Sequence, residues 1–491
     1  MIETFPLRAP KTAIEYRPRL PLWETQRRAL SKMAGKEVFA LMMAMRTGKS
    51  ATVLADFGQL EMDDEATDLL VISKAGVYRT WETAAEEHLA TSLLGRLDVY
   101  AWRSGASMAE KLDRQGFLKA KGPRMLLMNC EALSLVGDAR RFTLDFLASS
   151  ARPYVVVDES TIIKNKSKRT KFINGFVRPL ARYRRILSGL PTPRSPLDMF
   201  YQFEFLDWRI LGHRSYYTFR NRYAIVQRQV FGGRSVDIVV GFHKGTEEEL
   251  RALTEPHSFR VQFRPEVDST WSSREVSLTP DQVKAYNELK QYSTTRLANE
   301  SHVTASVVIA QIMRMHQVLC GHVRDEEGKL HRLPENRTSA LLEELEEYSG
   351  KAVVWFTYTE NLERAADALR KEYGRESVAM FYGGNTSTRE QDERRFKTDA
   401  ACRWMLATAG SGGMGRTWDV ADRVVYFSNS DNLEHREQSE QRPLHVDKRR
   451  GVDYVDLIVP NTVDVKILRA LRKKINMASA INGDNYKEWL I

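Results

Sequence analysis

Residues Phe39–Ser50 read FALMMAMRTGKS, an apolar run of strand type that stops at Thr47-Gly48-Lys49-Ser50. Ser50-Ala51-Thr52-Val53-Leu54 then continues as a helix start. Strand, glycine turn and helix in that order form the back half of a phosphate-binding loop. Backbone N–H groups at such a turn surround an anion, the Lys49 ammonium reaches the outer phosphates, and the Ser50 hydroxyl ligates magnesium. The full pattern asks for an earlier glycine, and Met43 stands in that place. A Gly-Lys-Ser triplet also arises by chance, so the rest of the chain decides.

Downstream, short apolar runs alternate with helical stretches. Asp68–Ser73 (DLLVIS), Arg124–Met128 (RMLLM) and Tyr154–Val157 (YVVV) read as buried strands, and Ile186-Leu187 leads into the turn Ser188-Gly189-Leu190-Pro191-Thr192-Pro193. This rhythm predicts a parallel α/β sheet, whose ligands sit at the C-terminal ends of its strands. YVVV runs straight into Asp158-Glu159. An acidic pair alone is usually a solvated turn. After a buried strand and a phosphate loop it completes the minimal set for nucleotide hydrolysis: Asp158 for magnesium, Glu159 to orient and polarise the attacking water. Upstream, Gln26 opens a helix within RPRLPLWETQRRAL; its amide offers the donor and acceptor that read adenine, against the plainer reading of an exposed helical glutamine.

At 491 residues the chain predicts two or three domains, and its 42% apolar and 28% charged content is that of a protein with real cores. A formal charge of +10 suggests a polyanionic partner, although a basic surface alone gives the same number. Cys130, Cys320 and Cys402 lie far apart with no CxxC pair, which argues against a disulfide framework or zinc ribbon and for a reducing compartment. The N-terminal MIETFPLRAPK lacks a signal-peptide core, and no apolar run approaches the ~18 residues that span a bilayer. A cytoplasmic protein without membrane contact is expected.

Basic residues crowd Ile163–Lys171 (IKNKSKRTK) behind the acidic pair, a solvated helix face or a track for a phosphate backbone. Asp207–Arg234 interleaves aromatics with arginines; the aromatics are assigned mainly to a small core, and Arg220 and Arg222 are kept as contact candidates. His316, Cys320 and His322 lack an evident fourth metal ligand and read as helix-end residues. A polar break at 265–275 and helices over Thr279–Leu297 and Ala305–Leu319 precede a second α/β series. Its strands are Ala352–Phe356, Ser377–Phe381, Trp404–Ala407, Arg423–Phe427 and Tyr454–Val459, and it has no phosphate loop of its own.

Two consecutive α/β domains with one phosphate loop resemble the paired RecA-like lobes of superfamily II helicases and translocases, and most closely the Swi/Snf-type ATPases. The resemblance runs in order over nearly the whole chain. Gln26 falls at the adenine-reading position, MAMRTGKS at the phosphate loop, and VISKAGVYRTW at the next segment, with Trp81 matching the family tryptophan. VVVDESTIIKNKSKRT is similar to the acidic box and the Lys-Asn that follows it, here Lys164-Asn165; LSGLPTPRSPLDMFYQFEFL is similar to the third motif. MRMHQVLCGH, FYGGNTSTREQDERRF, LATAGSGGMGRTWDVAD and YVDLIVPNTVDVKIL resemble second-lobe segments, and EQSEQRPLHVDKRRG the arginine-finger motif, with Gln438 and Arg442 in register.

The resemblance implies two RecA-like parallel-sheet lobes with a small, mostly helical insertion, divided as 1–205, 206–275, 276–335 and 336–491. It implies Lys49, Asp158, Glu159 and Arg442 as catalytic. It puts ATP on Gln26, Arg46, Thr47, Gly48, Lys49, Ser50, Gly413, Gly415 and Gln438, and magnesium on Ser50 and Asp158. It puts nucleic acid on Lys164, Asn165, Lys168, Arg220, Arg222 and Thr408. Departures are Arg46 in place of a glycine, Ser160-Thr161 in place of Ala-His, His445 in place of the second finger arginine, and no brace lysine in Arg260–Arg264. The implied function is an ATP-driven motor on double-stranded DNA, monomeric, in bacterial or phage replication, recombination or repair. Its rivals are a strand-separating DNA or RNA helicase and a non-hydrolysing DNA-binding or loading factor.

Overall fold

A computed structural model describes residues 16–44, 47–74, 78–103, 107–189, 195–231, 234–261, 268–299, 305–325, 327–410, 417–430, 432–444 and 448–473. The chain divides into two compact units. One runs to Ile225 and resumes over Phe242–Arg264; the other takes Val226–Gly241 and everything from Pro265 onward.

The first unit is built on a seven-stranded sheet. Its strands are β1 (Val38–Met43), β2 (Asp68–Ser73), β3 (Asp98–Ala101), β4 (Arg124–Asn129), β5 (Pro153–Val157) and β6 (Tyr183–Leu187). After the separate hairpin strands β7 (Ala224–Phe231) and β8 (Arg234–Phe242), β9 (Ser258–Val261) completes the set. The order is β3-β4-β2-β5-β6-β1-β9, and every pairing is parallel. β1, β2 and β5 are buried at every position, as strands covered on both faces must be. The opposite, N-terminal end of the sheet is closed by buried ion pairs. Arg185 binds Asp56 at 2.9 Å, with the Tyr154 hydroxyl on the same carboxylate at 2.6 Å, and Arg124 binds Asp68 at 2.7 Å.

The second unit holds a six-stranded sheet. β10 (Thr270–Glu275) comes first in the chain, then the small antiparallel pair β11 (His322–Arg324) and β12 (Leu330–Arg332). β13 (Ala352–Phe356), β14 (Val378–Phe381), β15 (Trp404–Thr408), β16 (Arg423–Tyr426) and β17 (Asp453–Ile458) follow. The order β10-β17-β16-β13-β15-β14 is parallel throughout. Beside this sheet, buried Arg337 donates to the carbonyls of Leu319 (3.2 Å), Phe427 (2.5 Å) and Leu457 (3.1 Å) and binds the Asp464 carboxylate. One guanidinium thus ties two strand ends to two helices, and its charge is balanced where it is buried.

Both sheets expected from the apolar runs are present, and each gains strands. β3 and β9 extend the first, β10 the second. The stretch 206–275, read from sequence as a basic extension and linker, therefore supplies strands to both units and carries the β7–β8 hairpin. Its aromatics do form a cluster: Phe219 and Tyr223 are buried at 4.9 Å between ring centres, and Phe200 joins Phe219 at 5.3 Å.

Candidate nucleotide site

In a parallel sheet all strands end on one edge, so the segments after β1, β5 and β6 emerge together. β6 lies between β1 and β5, which puts the latter two roughly 10 Å apart at ~4.8 Å per strand spacing. Ser188, directly after β6, is fully buried and donates its backbone N–H to Leu41 O at 3.1 Å. The phosphate-loop segment and the acidic pair are thus neighbours by topology.

Gly48 caps the helix Lys49–Met62 with φ 77° and ψ 34°, the left-handed conformation that a side chain resists. Its carbonyl accepts from the Thr52 backbone N–H and hydroxyl, both at 2.9 Å, and from Gln26 Nε2 at 3.3 Å. The Lys49 ammonium is buried and donates to the carbonyls of Met43 (3.0 Å) and Ala44 (3.2 Å); Thr47 Oγ1 donates to Ala44 O at 2.8 Å. Thr47, Gly48, Lys49 and half-buried Ser50 therefore stand together at the strand-to-helix turn. Arg46 lies outside the described residues.

Gln26 is only 4% exposed. Its Oε1 accepts from the Trp23 backbone N–H at 2.7 Å, which caps its own helix, while Nε2 reaches Gly48. Sequence alone suggested a base-reading amide. The structure adds that one N–H braces the loop and one lone pair caps the helix, leaving one of each.

Asp158 is buried and accepts three hydrogen bonds. Ser73 Oγ (3.2 Å) and Trp81 Nε1 (3.0 Å) donate to Oδ2, and the Glu159 backbone N–H donates to Oδ1 at 2.9 Å. The register of β2 with β5 sets Ile72 beside Val157, so the residues that follow, Ser73 and Asp158, meet. Glu159 has φ 48° and ψ 63°, a left-handed conformation that costs a non-glycine residue on the order of 1–3 kcal/mol. Strain of this kind concentrates where a side chain must be aimed. Behind the pair, buried Ser160 donates to Gln202 Oε1 at 2.6 Å, and Gln202 Nε2 bonds Asp198 O at 2.7 Å.

In the second unit Arg442 is 2% exposed. Its carbonyl accepts from the Trp418 backbone N–H at 2.9 Å, and its guanidinium lies 5.9 Å from the Trp418 ring centre. Gln438 is on the helix Leu433–Glu440 and donates to Glu434 at 3.1 Å. That helix is anchored by buried Arg436, which binds Asp456 at 2.5 Å and stacks 3.5 Å over Tyr426. Gly413, Gly415 and His445 lie outside the described residues; Arg450 is exposed, 3.6 Å from Asp422.

Among the nucleic-acid candidates, Asn165 and Lys168 are exposed and Lys164 is half-buried. Thr408 closes β15 and is buried. Arg222 is exposed and paired with Glu249 at 3.0 Å. Arg220 is buried, 5.4 Å over the Tyr217 ring and bonded to Asn221 Oδ1. His316 pairs through Nδ1 with the Tyr358 hydroxyl at 2.9 Å, and burial drives its pKa down to about 4. Burial likewise pushes the Cys320 thiol up to about 12. No described helix is long and apolar enough to cross a membrane.

Sequence reasoning missed Ser73 and Gln202 as partners of the acidic box. Ser73 was findable, since the last residue of one strand meets the residue just past the end of its neighbour.

A family model described as the SNF2-related domain matches residues 40–324, and the helicase conserved C-terminal domain matches residues 336–446. The Aspergillus fumigatus TATA-binding protein-associated factor mot1 is 23% identical over 386 residues, covering 67% of this chain and 20% of that protein. The Arabidopsis thaliana TATA-binding protein-associated factor BTAF1 is 21% identical over 509 residues, covering 89% and 24%. An uncharacterized ATP-dependent helicase of Mycoplasma pneumoniae is 20% identical over 368 residues, covering 74% and 34%. The chain thus spans a fifth to a third of the length of these relatives. Among solved structures, the Sulfolobus solfataricus SWI2/SNF2 ATPase core in complex with dsDNA aligns with a TM-score of 0.40 at 19% identity, covering 99% of this chain and 98% of that one. With more than half its length matched by one family model and a helicase C-terminal domain following it, the chain belongs to the SNF2-related family of superfamily II helicase-like, ATP-hydrolysing enzymes.

Proposed function

We propose that the chain couples ATP hydrolysis to movement along double-stranded DNA. What carries this reading is one arrangement: the Gly48–Lys49 turn and the Asp158–Glu159 pair leave the same edge of a single parallel sheet, as a nucleotide site requires. Lys49 takes the outer phosphates, Thr47 and Gly48 cradle them, and Gln26 meets the base with its remaining N–H and lone pair. Glu159 orients the attacking water, and Arg442 is assigned as the arginine that supplies positive charge to the transition state.

Ser50 and Asp158 are the residues that would hold magnesium. Hydroxyl and carboxylate oxygens are the hard donors this ion takes, and the N–H and O–H donors around the Asp158 carboxylate hold it in one orientation. Magnesium bound there offsets phosphate charge.

Lys164, Asn165 and Lys168 are assigned to a DNA backbone, with Arg222 and Thr408 as further contacts; the net charge of +10 supports a polyanionic partner. We assign the motor to bacterial or phage replication, recombination or repair, acting as a monomer. A strand-separating helicase is the second reading. The β7–β8 hairpin favours it, because this two-stranded sheet pairs with neither large sheet and offers an element of wedge type. ATPase rates with duplex DNA, single-stranded DNA and RNA test the proposal. Several-fold stimulation, greatest with duplex, is expected; equal rates with and without nucleic acid contradict it.

A further inference from the structure

We propose that Trp81 and Ser73 are positioning residues for the Asp158 carboxylate, and through it for the divalent cation that accompanies the nucleotide. The inference rests on the reading of Asp158 as the metal-holding residue and goes beyond it by assigning what aims that residue.

An ionised carboxylate has about four acceptor positions. Three at Asp158 are filled, by Ser73 Oγ and Trp81 Nε1 on Oδ2 and by the Glu159 backbone N–H on Oδ1. Donors on both oxygens fix the rotation of the group, and the capacity left is that of one further ligand. Such partners of a ligating carboxylate set its orientation and typically change metal affinity about 10–100-fold when removed.

Trp81 also fills core space beside Tyr78 and Ala85, so its hydrogen bond needs separating from its packing. Buried Trp102, Trp355 and Trp404 leave their indole N–H without a hydrogen-bond partner among the described residues. Those three indoles are buried without that bond, while buried Trp418 donates to Glu393 Oε1 at 3.1 Å, so burial alone does not dictate a partner. The aim of the Trp81 N–H at a carboxylate seventy-seven positions away is not a requirement of burial. Ser73 makes the same case with almost no volume: it is 1% exposed, and its hydroxyl serves Oδ2 from the adjacent strand.

The test uses the full chain, Mn²⁺ as a spin-active stand-in for magnesium, and the non-hydrolysable analogue AMP-PNP. Trp81→Phe removes the N–H and keeps most of the ring; Ser73→Ala removes the hydroxyl alone; Asp158→Asn is the reference. Electron paramagnetic resonance reads Mn²⁺ affinity in the ternary complex, and fluorescence reads AMP-PNP affinity in EDTA. Each positioning variant should weaken Mn²⁺ binding about 10-fold and leave metal-free nucleotide affinity within about twofold. Mn²⁺ affinity unchanged in Ser73→Ala and Trp81→Phe, but lost in Asp158→Asn, overturns the positioning role and leaves the site reading standing. Unchanged affinity in Asp158→Asn overturns both. Should Trp81→Phe fail to fold, Ser73→Ala decides by the same criterion.

Discussion

Gln26 Nε2 donates to the Gly48 carbonyl at 3.3 Å, and a Cβ added to Gly48 would lie 1.9 Å from that same nitrogen. The helix before β1 thus occupies the space that makes residue 48 a glycine, and the two residues form one unit bracing the turn. Gly48→Ala must adopt φ 77° with a side chain and expel a buried, bonded amide. It should cost roughly 1–3 kcal/mol and weaken nucleotide binding more than tenfold. Gln26→Ala combined with Gly48→Ala should cost less than the sum of the single changes, as denaturant titration of the four proteins will show.

Lys49→Ala and Glu159→Gln separate binding from chemistry. Lys49 loses its contact with the phosphates, so its removal should abolish nucleotide binding at ordinary concentrations. Glu159→Gln keeps the shape and removes the charge. It should bind ATP normally and turn over at least about 10²-fold more slowly. Equilibrium binding beside single-turnover hydrolysis measures both.

Arg442 is buried against Trp418, so its finger role and its packing role need different substitutions. Arg442→Lys keeps the charge and much of the stem but loses the planar fork. It should lower kcat by at least about tenfold with a nearly unchanged melting temperature. Arg442→Ala should lower turnover by as much as ~10³-fold and destabilise the second unit as well, with ATP affinity nearly intact. Loss of ATP binding in the lysine variant would place the residue in ground-state recognition instead.

His316 predicts how stability responds to acid. It faces Asp464, Arg337, His322 and Tyr358, and burial lowers its pKa from 6.5 to about 4. The unfolded imidazole takes a proton near 6.5 and the folded one only near 4, so between those values the unfolded chain binds more protons. Stability is full above pH 6.5 and falls as pH drops toward 4, by up to about 3 kcal/mol from this group. His322, also lowered to about 4 by burial, acts in the same direction. Thermal melts from pH 7.5 to 4.5 should show the loss, and His316→Gln should flatten part of it.

The buried strands were legible because a strand covered on both faces must be apolar throughout, as in YVVV and AVVWF. β10 was not: TWSSRE is an exposed edge strand held by backbone pairing to β17, with Trp271 stacked on Tyr454, and its composition is that of a loop. The β7–β8 hairpin had a signal, Gly232-Gly233 between runs of β-branched residues, but its arginines and aromatics drew the reading toward nucleic acid. Lys49, Asp158 and Glu159 were legible because the residues that follow a strand's C-terminal end carry the chemistry in this fold. The bond from Trp81 to Asp158 was not, since Trp81 comes from a helix seventy-seven positions away and only the folded structure brings its N–H to the carboxylate.

Displacement of a third strand from a DNA triplex measures movement along a duplex without requiring its separation, and it tests the central claim most directly. A duplex motor should release the third strand with ATP, fail to do so with AMP-PNP or as Glu159→Gln, and leave a tailed duplex paired. Unwinding of the tailed duplex would favour the strand-separating reading. An intact triplex during vigorous ATP hydrolysis would contradict the account.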